Sequence, residues 1–207
     1  MADPLLIVQD LGFAWPDGRR LFDHLNFSLG PGLNWLQGDD GSGKSTLLAL
    51  TAGALPTSQG RLCAAGHWYH ENPDAYRAQV FRIDPQTEAH DATPAASYLE
   101  GLAHHWPHLS ASALSDLVDG FDLSAHLHKP LYMLSTGSRR KVWLTAALAS
   151  GAPLTLLDQP FAALDATSTG FLIEVLQDLA DHPSRAWWVA DHSVESRLAP
   201  RMVVSLD

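Results

Sequence analysis

The sequence predicts one α/β domain with an antiparallel β edge and an inserted helical stretch. Three observations carry this. Apolar or half-alternating segments of strand length alternate with segments of helical spacing through most of the 207 residues. One predicted strand, Gly32–Gln37, runs straight into a glycine-rich loop that opens a helix. Between about residues 87 and 137 the chain is polar and turn-rich around two helical patterns, which reads as a helical subdomain within a single domain spanning 1–207.

The elements follow in order. Leu5–Leu11 is apolar and suits a strand, and Phe22, Leu25, Phe27 and Leu29 alternate with polar residues as in a half-exposed strand. Asp17-Gly18 between them is a turn signal. Lys44 to Leu55 places Leu47, Leu48, Leu50 and Ala54 at helical spacing, and Pro56 ends that helix. Gly60–Ala64 and Gln79–Ile83 are strand candidates, followed by predicted helices at Pro94–Trp106 and Ser110–Val118. Ser138–Ala149 is a helix, Leu154–Leu157 a buried strand ending in Asp158, and Thr167–Leu179 a helix. Arg185–Ala190 and Met202–Ser205 close the series as strands.

Composition excludes several classes. Thirteen basic residues stand against 23 acidic ones, a net charge of −10, which is poorly suited to holding a nucleic-acid backbone. Cys63 is the one cysteine, so no disulfide framework exists. The opening Met1–Asp10 has no basic leader followed by a long apolar stretch and does not read as a signal peptide. No apolar run approaches membrane-spanning length. With 46% hydrophobic and only 17% charged residues, the chain has apolar surface to spare for a partner. Of the seven tryptophans, several must be core, and core is the expectation for Trp68 and Trp106 too. His104, His105 and His108 read as surface residues, and Arg139-Arg140-Lys141 as a solvated or partner-facing basic patch.

The glycine-rich loop carries the chemistry. Gly38, Asp39, Asp40, Gly41, Ser42, Gly43, Lys44, Ser45 and Thr46 fit the spacing G-x-x-x-x-G-K-[ST]. Glycines let successive backbone N–H groups turn inward toward phosphate oxygens, and the helix that starts there favours an anion. In such a loop the lysine, Lys44, reaches the β- and γ-phosphates, the hydroxyl of Ser45 ligates Mg²⁺, and Thr46 adds a contact on the α-phosphate side. This predicts a P-loop NTPase core with ATP and Mg²⁺ as ligands. Asp40 is out of place beside phosphates and is expected to point outward. Asp158, at the end of a buried strand, is the carboxylate such a core uses to hold the metal's water shell. The next residue is Gln159, whose amide orients water but is a very poor base, and loss of general-base help lowers a rate by about 10²–10⁴-fold.

With these motifs in order the sequence resembles the ABC ATPase family. Gln86, in Ile83-Asp84-Pro85-Gln86, is similar to the family's glutamine that senses metal and the transport partner. Leu134-Ser135-Thr136-Gly137-Ser138 resembles the signature Leu-Ser-Gly-Gly-Gln, and Ala163-Leu164-Asp165 the D-loop. His192 resembles the switch histidine that contacts the γ-phosphate, and Trp15 the aromatic that stacks on adenine. On their own, Ser135 also suits an ordinary N-cap, His192 a polar turn and Trp15 plain packing. The resemblance implies a head-to-tail homodimer in which Ser135 and Gly137 face the ATP held by the second ATP-binding subunit. It also implies a separate transmembrane permease, and a place in the cytoplasm against the inner (plasma) membrane. Short bacterial exporter cassettes, including the haem-exporter type, are the similar subgroup. Thr136, Ser138 and Gln159 depart from the family pattern. Gln159 replaces the family's catalytic glutamate and is either native or an engineered swap that traps the ATP-bound dimer. The expected function is therefore an ATP-binding and ATP-hydrolysing transporter subunit with hydrolysis slowed at Gln159. The alternative is a non-hydrolysing, nucleotide-gated regulatory or structural module.

Overall fold

A computed structural model of the chain describes residues 3–206; Met1, Ala2 and Asp207 lie outside it. Strands β1 (Leu6–Ala14), β2 (Arg20–Leu29), β4 (Gln59–Ala64) and β5 (His67–Trp68) form an antiparallel sheet in the order β2-β1-β4-β5. Strands β3 (Gly32–Gly38), β6 (Val80–Arg82), β7 (Leu154–Asp158), β8 (Ala186–Asp191) and β9 (Met202–Leu206) form a parallel sheet in the order β6-β7-β8-β3-β9. The helices are α1 (Lys44–Thr51), α2 (Pro73–Arg77), α3 (Ala95–Gly101), α4 (Ala111–Gly120), α5 (Thr136–Ala149) and α6 (Ala166–Leu179). This is the expected α/β architecture with an antiparallel edge and a helical insertion.

The strand sequences explain the layering. β3, β7 and β8 are buried almost end to end and read as continuous apolar runs, because a parallel sheet covered on both faces needs apolar side chains on both. Trp187 and Trp188 on β8 go to opposite sides. Trp187 joins Trp35, Leu99, Phe121 and Val142 in the core beneath the helical segment. Trp188 joins Leu6, Leu36, Leu47 and Leu48 in the core beneath the antiparallel sheet. Residues of α3 and α4 therefore share one core with the parallel sheet. β2, with water on one face, alternates as expected.

Register sets up the site. Gln37 on β3 pairs with Asp191 on β8, and Asp158 on β7 pairs with Ala190 on β8. The C-terminal ends of these three strands thus stand side by side. In open parallel sheets ligands bind beyond the C-terminal strand ends, where the following loops and helix N-termini gather.

Several elements differ from the sequence expectation. The helix expected at Pro94–Trp106 is α-helical only over Ala95–Gly101 and continues as a 3₁₀ turn over Leu102–His104. α1 stops at Thr51 because Gly53 adopts a φ of +66°, well before Pro56. α5 begins at Thr136, two residues early, since Ser135 caps it. The short β5 and α2 went unpredicted, although Asn72 followed by Pro73 is an N-cap and first-turn proline pair. Five residues hold too little apolar periodicity to announce a helix.

Candidate functional site

The loop after β3 folds as its glycines require. Gly41 and Gly43 have φ of +81° and +101°. A Cβ on Gly43 would also stand 2.9 Å from Cζ of Phe22. One on Gly38 would stand 2.5 Å from Oγ of Ser42 and 2.7 Å from the Leu206 carbonyl oxygen. Gly43 is the N-cap of α1, and no side chain caps that end. The N–H groups of its first turn are left without side-chain partners. Lys44 is buried, and its Nζ donates to the carbonyls of Gly38 at 2.6 Å and Asp39 at 2.8 Å. An ammonium has three donors, so these two bonds brace the loop and leave one N–H free for another acceptor.

A cavity of about 330 Å³ opens over this loop. Asp40, Gly41, Gly43, Lys44, Ser45 and Thr46 line it from the loop and the start of α1, Trp15 and Arg19 from the β1–β2 turn, Leu21 from the start of β2, and Gln159 from the end of β7. Residues far apart in sequence thus converge on one space. Trp15 is half-buried and held edge-on by Phe13, with ring centroids 5.1 Å apart. Arg19, Leu21 and their place in the wall were invisible in the sequence, because only the pairing of β1 with β2 brings that turn over the loop.

Asp158 and Gln159 sit on a tightly fixed turn. Oδ1 of Asp158 is buried and has no hydrogen-bond partner among the described residues. Gln159 adopts a φ of +43°, and its N–H donates to the Ala190 carbonyl at 2.8 Å. Arg140 of α5 donates to the carbonyls of Asp158 at 3.2 Å and Gln159 at 2.6 Å, and burial lowers its guanidinium pKa. The basic run expected to be solvated or partner-facing is instead engaged within the chain. Arg139 pairs with Asp91 at 3.0 Å and Lys141 with Asp165 at 2.8 Å. Sequence alone could not show this, since every partner is distant.

Asp158, Gly38, Asp39 and Ser42 do not line that cavity, and the remaining candidates also lie outside it. His192 follows β8, and its Nε2 stands 3.3 Å from Oδ1 of Asp40. Asp40 is exposed, in line with the outward expectation, and its carboxylate meets this ring there. Gln86 is exposed in the loop after β6, its N–H on the Asp84 carboxylate at 3.0 Å. Ser135 accepts the Ser138 N–H at 3.1 Å as N-cap of α5. Gly137 lies against the loop after β7, where an added Cβ would be 2.5 Å from the Ala163 carbonyl oxygen. That explains why glycine stands at 137 while 136 carries a threonine. Trp106 packs on Phe81 with centroids 5.1 Å apart, and Trp68 lies under Arg61 at 4.5 Å; both are half-buried. His104, His105 and His108 are exposed.

A parallel-sheet strand, an uncapped glycine turn and a buried lysine braced on the turn's own carbonyls define a phosphate-loop nucleotide-binding domain. Comparison with known proteins narrows the class. The family described as ABC transporter matches residues 22–162. A cytochrome c biogenesis ATP-binding export protein CcmA of Paramagnetospirillum magneticum is 37% identical over 170 residues, covering 80% of this chain and 76% of the relative. An uncharacterized ABC transporter ATP-binding protein of Haemophilus influenzae is 33% identical over 199 residues, covering 95% and 80%. A solved ATP binding subunit of an ABC transporter shares the fold with a TM-score of 0.80 at 23% identity, covering 91% of this chain and 79% of that one. The chain belongs to the ABC transporter family and is an ATP-binding and ATP-hydrolysing module of the kind that powers a transporter. No helix among the described residues is long and apolar enough to cross a membrane.

Proposed function

We propose that the chain binds Mg-ATP in the cavity over residues 38–46 and drives a separate membrane permease, with hydrolysis slowed by Gln159. One observation carries the reading: Trp15, the phosphate loop and Gln159 share a single 330 Å³ space. Trp15 offers a large flat face to adenine. The backbone of Gly38, Asp39, Asp40, Gly41, Ser42 and Gly43, with Lys44, Ser45 and Thr46, holds the phosphates. Ser45, Asp158 and, from the loop after β6, Gln86 would hold Mg²⁺, which when bound would neutralise phosphate charge. The partnerless buried Oδ1 of Asp158 fits that role, since a buried carboxylate oxygen without a donor calls for a cation or its water. Gln159 can donate to and orient a water but leaves its proton without a strong acceptor, and His192 acts beside it on the γ-phosphate.

Ser135 and Gly137, at the N-terminus of α5, would face the ATP of a second, head-to-tail copy. A groove of about 570 Å³ between β6 and α3, lined by Phe81, Tyr98, Trp106, His90 and Arg82, supports docking of the permease on the helical segment at about 87–137. The similarity to a cytochrome c biogenesis export protein favours an exporter cassette on the cytoplasmic face of the inner membrane. Gln159 in the cavity wall also favours a second reading, a nucleotide-gated module that closes on ATP without hydrolysing it. Nothing in the acidic charge supports nucleic-acid binding.

Binding and turnover of Mg-ATP by the purified chain test both readings. Lys44→Ala should abolish tight ATP binding; unchanged affinity would overturn the phosphate-loop assignment. Gln159→Glu should raise turnover at least about tenfold if the missing base is the only defect. A variant with restored glutamate and no gain would favour the non-hydrolysing module.

A further inference from the structure

We propose that Asp40 is a specificity residue that engages His192 in the nucleotide-free chain and so sets how strongly triphosphate is preferred over diphosphate. The inference rests on the phosphate-loop reading above and extends it to a residue that reading leaves unexplained.

Asp40 lies in the loop after β3 and His192 in the loop after β8. These strands are hydrogen-bonded neighbours whose ends are in register at Gln37 and Asp191. The carboxylate oxygen of Asp40 reaches across to 3.3 Å from Nε2 of His192. Asp40 also lines the cavity over the phosphate loop, so the contact stands at the mouth of the site. His192 is further fixed by its own N–H, which donates to Asp191 at 2.8 Å. An anion therefore already faces the ring expected to meet a γ-phosphate.

Two anions cannot share one imidazole edge. A triphosphate whose last phosphate is to engage His192 must displace the carboxylate, exchanging one anionic partner for another. A diphosphate held by Lys44 and the loop N–H groups has no third phosphate to offer and leaves the pair alone. The exchange is a modest one. The Asp40 side chain is 83% and that of His192 51% exposed, and exposed pairs change an equilibrium only about 1.5- to 5-fold. Asp40 should thus reduce the preference for triphosphate by about threefold. Asp39, one residue earlier, has the same charge; its backbone carbonyl accepts from Lys44, but its carboxylate is in no ion pair among the described residues, so it serves as the charge control.

The test is calorimetric binding of the β,γ-imido analogue of ATP and of ADP, both with Mg²⁺, to the full chain. Asp40→Asn should tighten the triphosphate analogue about threefold and leave ADP nearly unchanged. The gain should vanish in the His192→Ala background, because the contact it removes is already gone. Asp39→Asn should not change the ratio of the two affinities. Equal effects on both nucleotides, no effect, or a gain that persists in His192→Ala would overturn the proposal, the last by showing plain charge repulsion. Lys44→Ala distinguishes the two levels. If it leaves binding intact, the phosphate-loop reading fails and takes this one with it; if it abolishes binding, the Asp40 result stands on its own.

Discussion

The N-termini of α1 and α5 both begin at sequence signals for a helix start, and they are satisfied in opposite ways. At α1 the cap is Gly43 in a left-handed conformation, with no side-chain acceptor and no acidic residue in the first turn. At α5 Ser135 accepts the Ser138 N–H and donates to the Ser138 hydroxyl at 2.9 Å. A helix end leaves its first N–H groups unbonded unless a side chain, water or ligand supplies oxygens. α1 leaves that supply to something outside the chain, in a cavity. α5 meets part of it internally, so its end is stable before any partner arrives. The same helix-start chemistry thus yields a receptive end and a self-sufficient one, and the cap residue decides which.

Four experiments press on this difference, from the largest effect down. If α1 is the receptive end, Mg-ATP at about 100 times its Kd should stabilise the chain by about 2.7 kcal/mol and raise the melting temperature by roughly 5–10 °C. A thermal scan of Lys44→Ala should show no such rise. If α5 is built for close internal packing, Gly137→Ala should destabilise by about 2 kcal/mol, since its Cβ meets the Ala163 backbone oxygen rather than a movable side chain. Denaturant unfolding reads that change, and a value near zero would mean that α5 shifts freely. Ser135→Ala should remove about 1 kcal/mol, the ordinary worth of an N-cap, even without nucleotide. If that loss appeared only with nucleotide present, Ser135 would not be capping the free chain.

The smallest effect concerns the acid limb of stability. The carboxyl of Asp165 is held well below the usual carboxylate range, first by the hydrogen bond from Lys141 and then by the N–H and hydroxyl of Ser168. A folded-state pKa below the unfolded value means the unfolded chain binds the proton more readily. The contribution is therefore fully present above the unfolded value of about 3.9 and is lost as pH falls below it. Lys141→Met should flatten stability against pH in that window and leave the profile near neutrality unchanged in shape.

How much of this was legible in the sequence depends on the range of the contact. The loop at 38–46 needs only local geometry, so its glycines and Lys44 were readable, as was Ser135 as a cap. Asp158 was readable because a buried strand ends there. Trp15 could be named by resemblance, but its wall-mates Arg19 and Leu21 depend on the fold of the β1–β2 turn. The Asp40–His192 contact arises from the pairing of β3 with β8, and no local pattern encodes it. Arg139, Arg140 and Lys141 read as a surface patch because a run of like charges looks solvated until its distant partners are known.

Gly137, Arg140 and Lys141 together give α5 a mechanical consequence. Within little more than one turn, three attachments tie its first half to the segment from Asp158 to Asp165: a close approach to the Ala163 backbone, two bonds to the carbonyls of Asp158 and Gln159, and an ion pair at Asp165. The two segments behave as one bracket. A displacement of the first half of α5 would therefore be felt first at the backbone carbonyls of Asp158 and Gln159, which Arg140 holds.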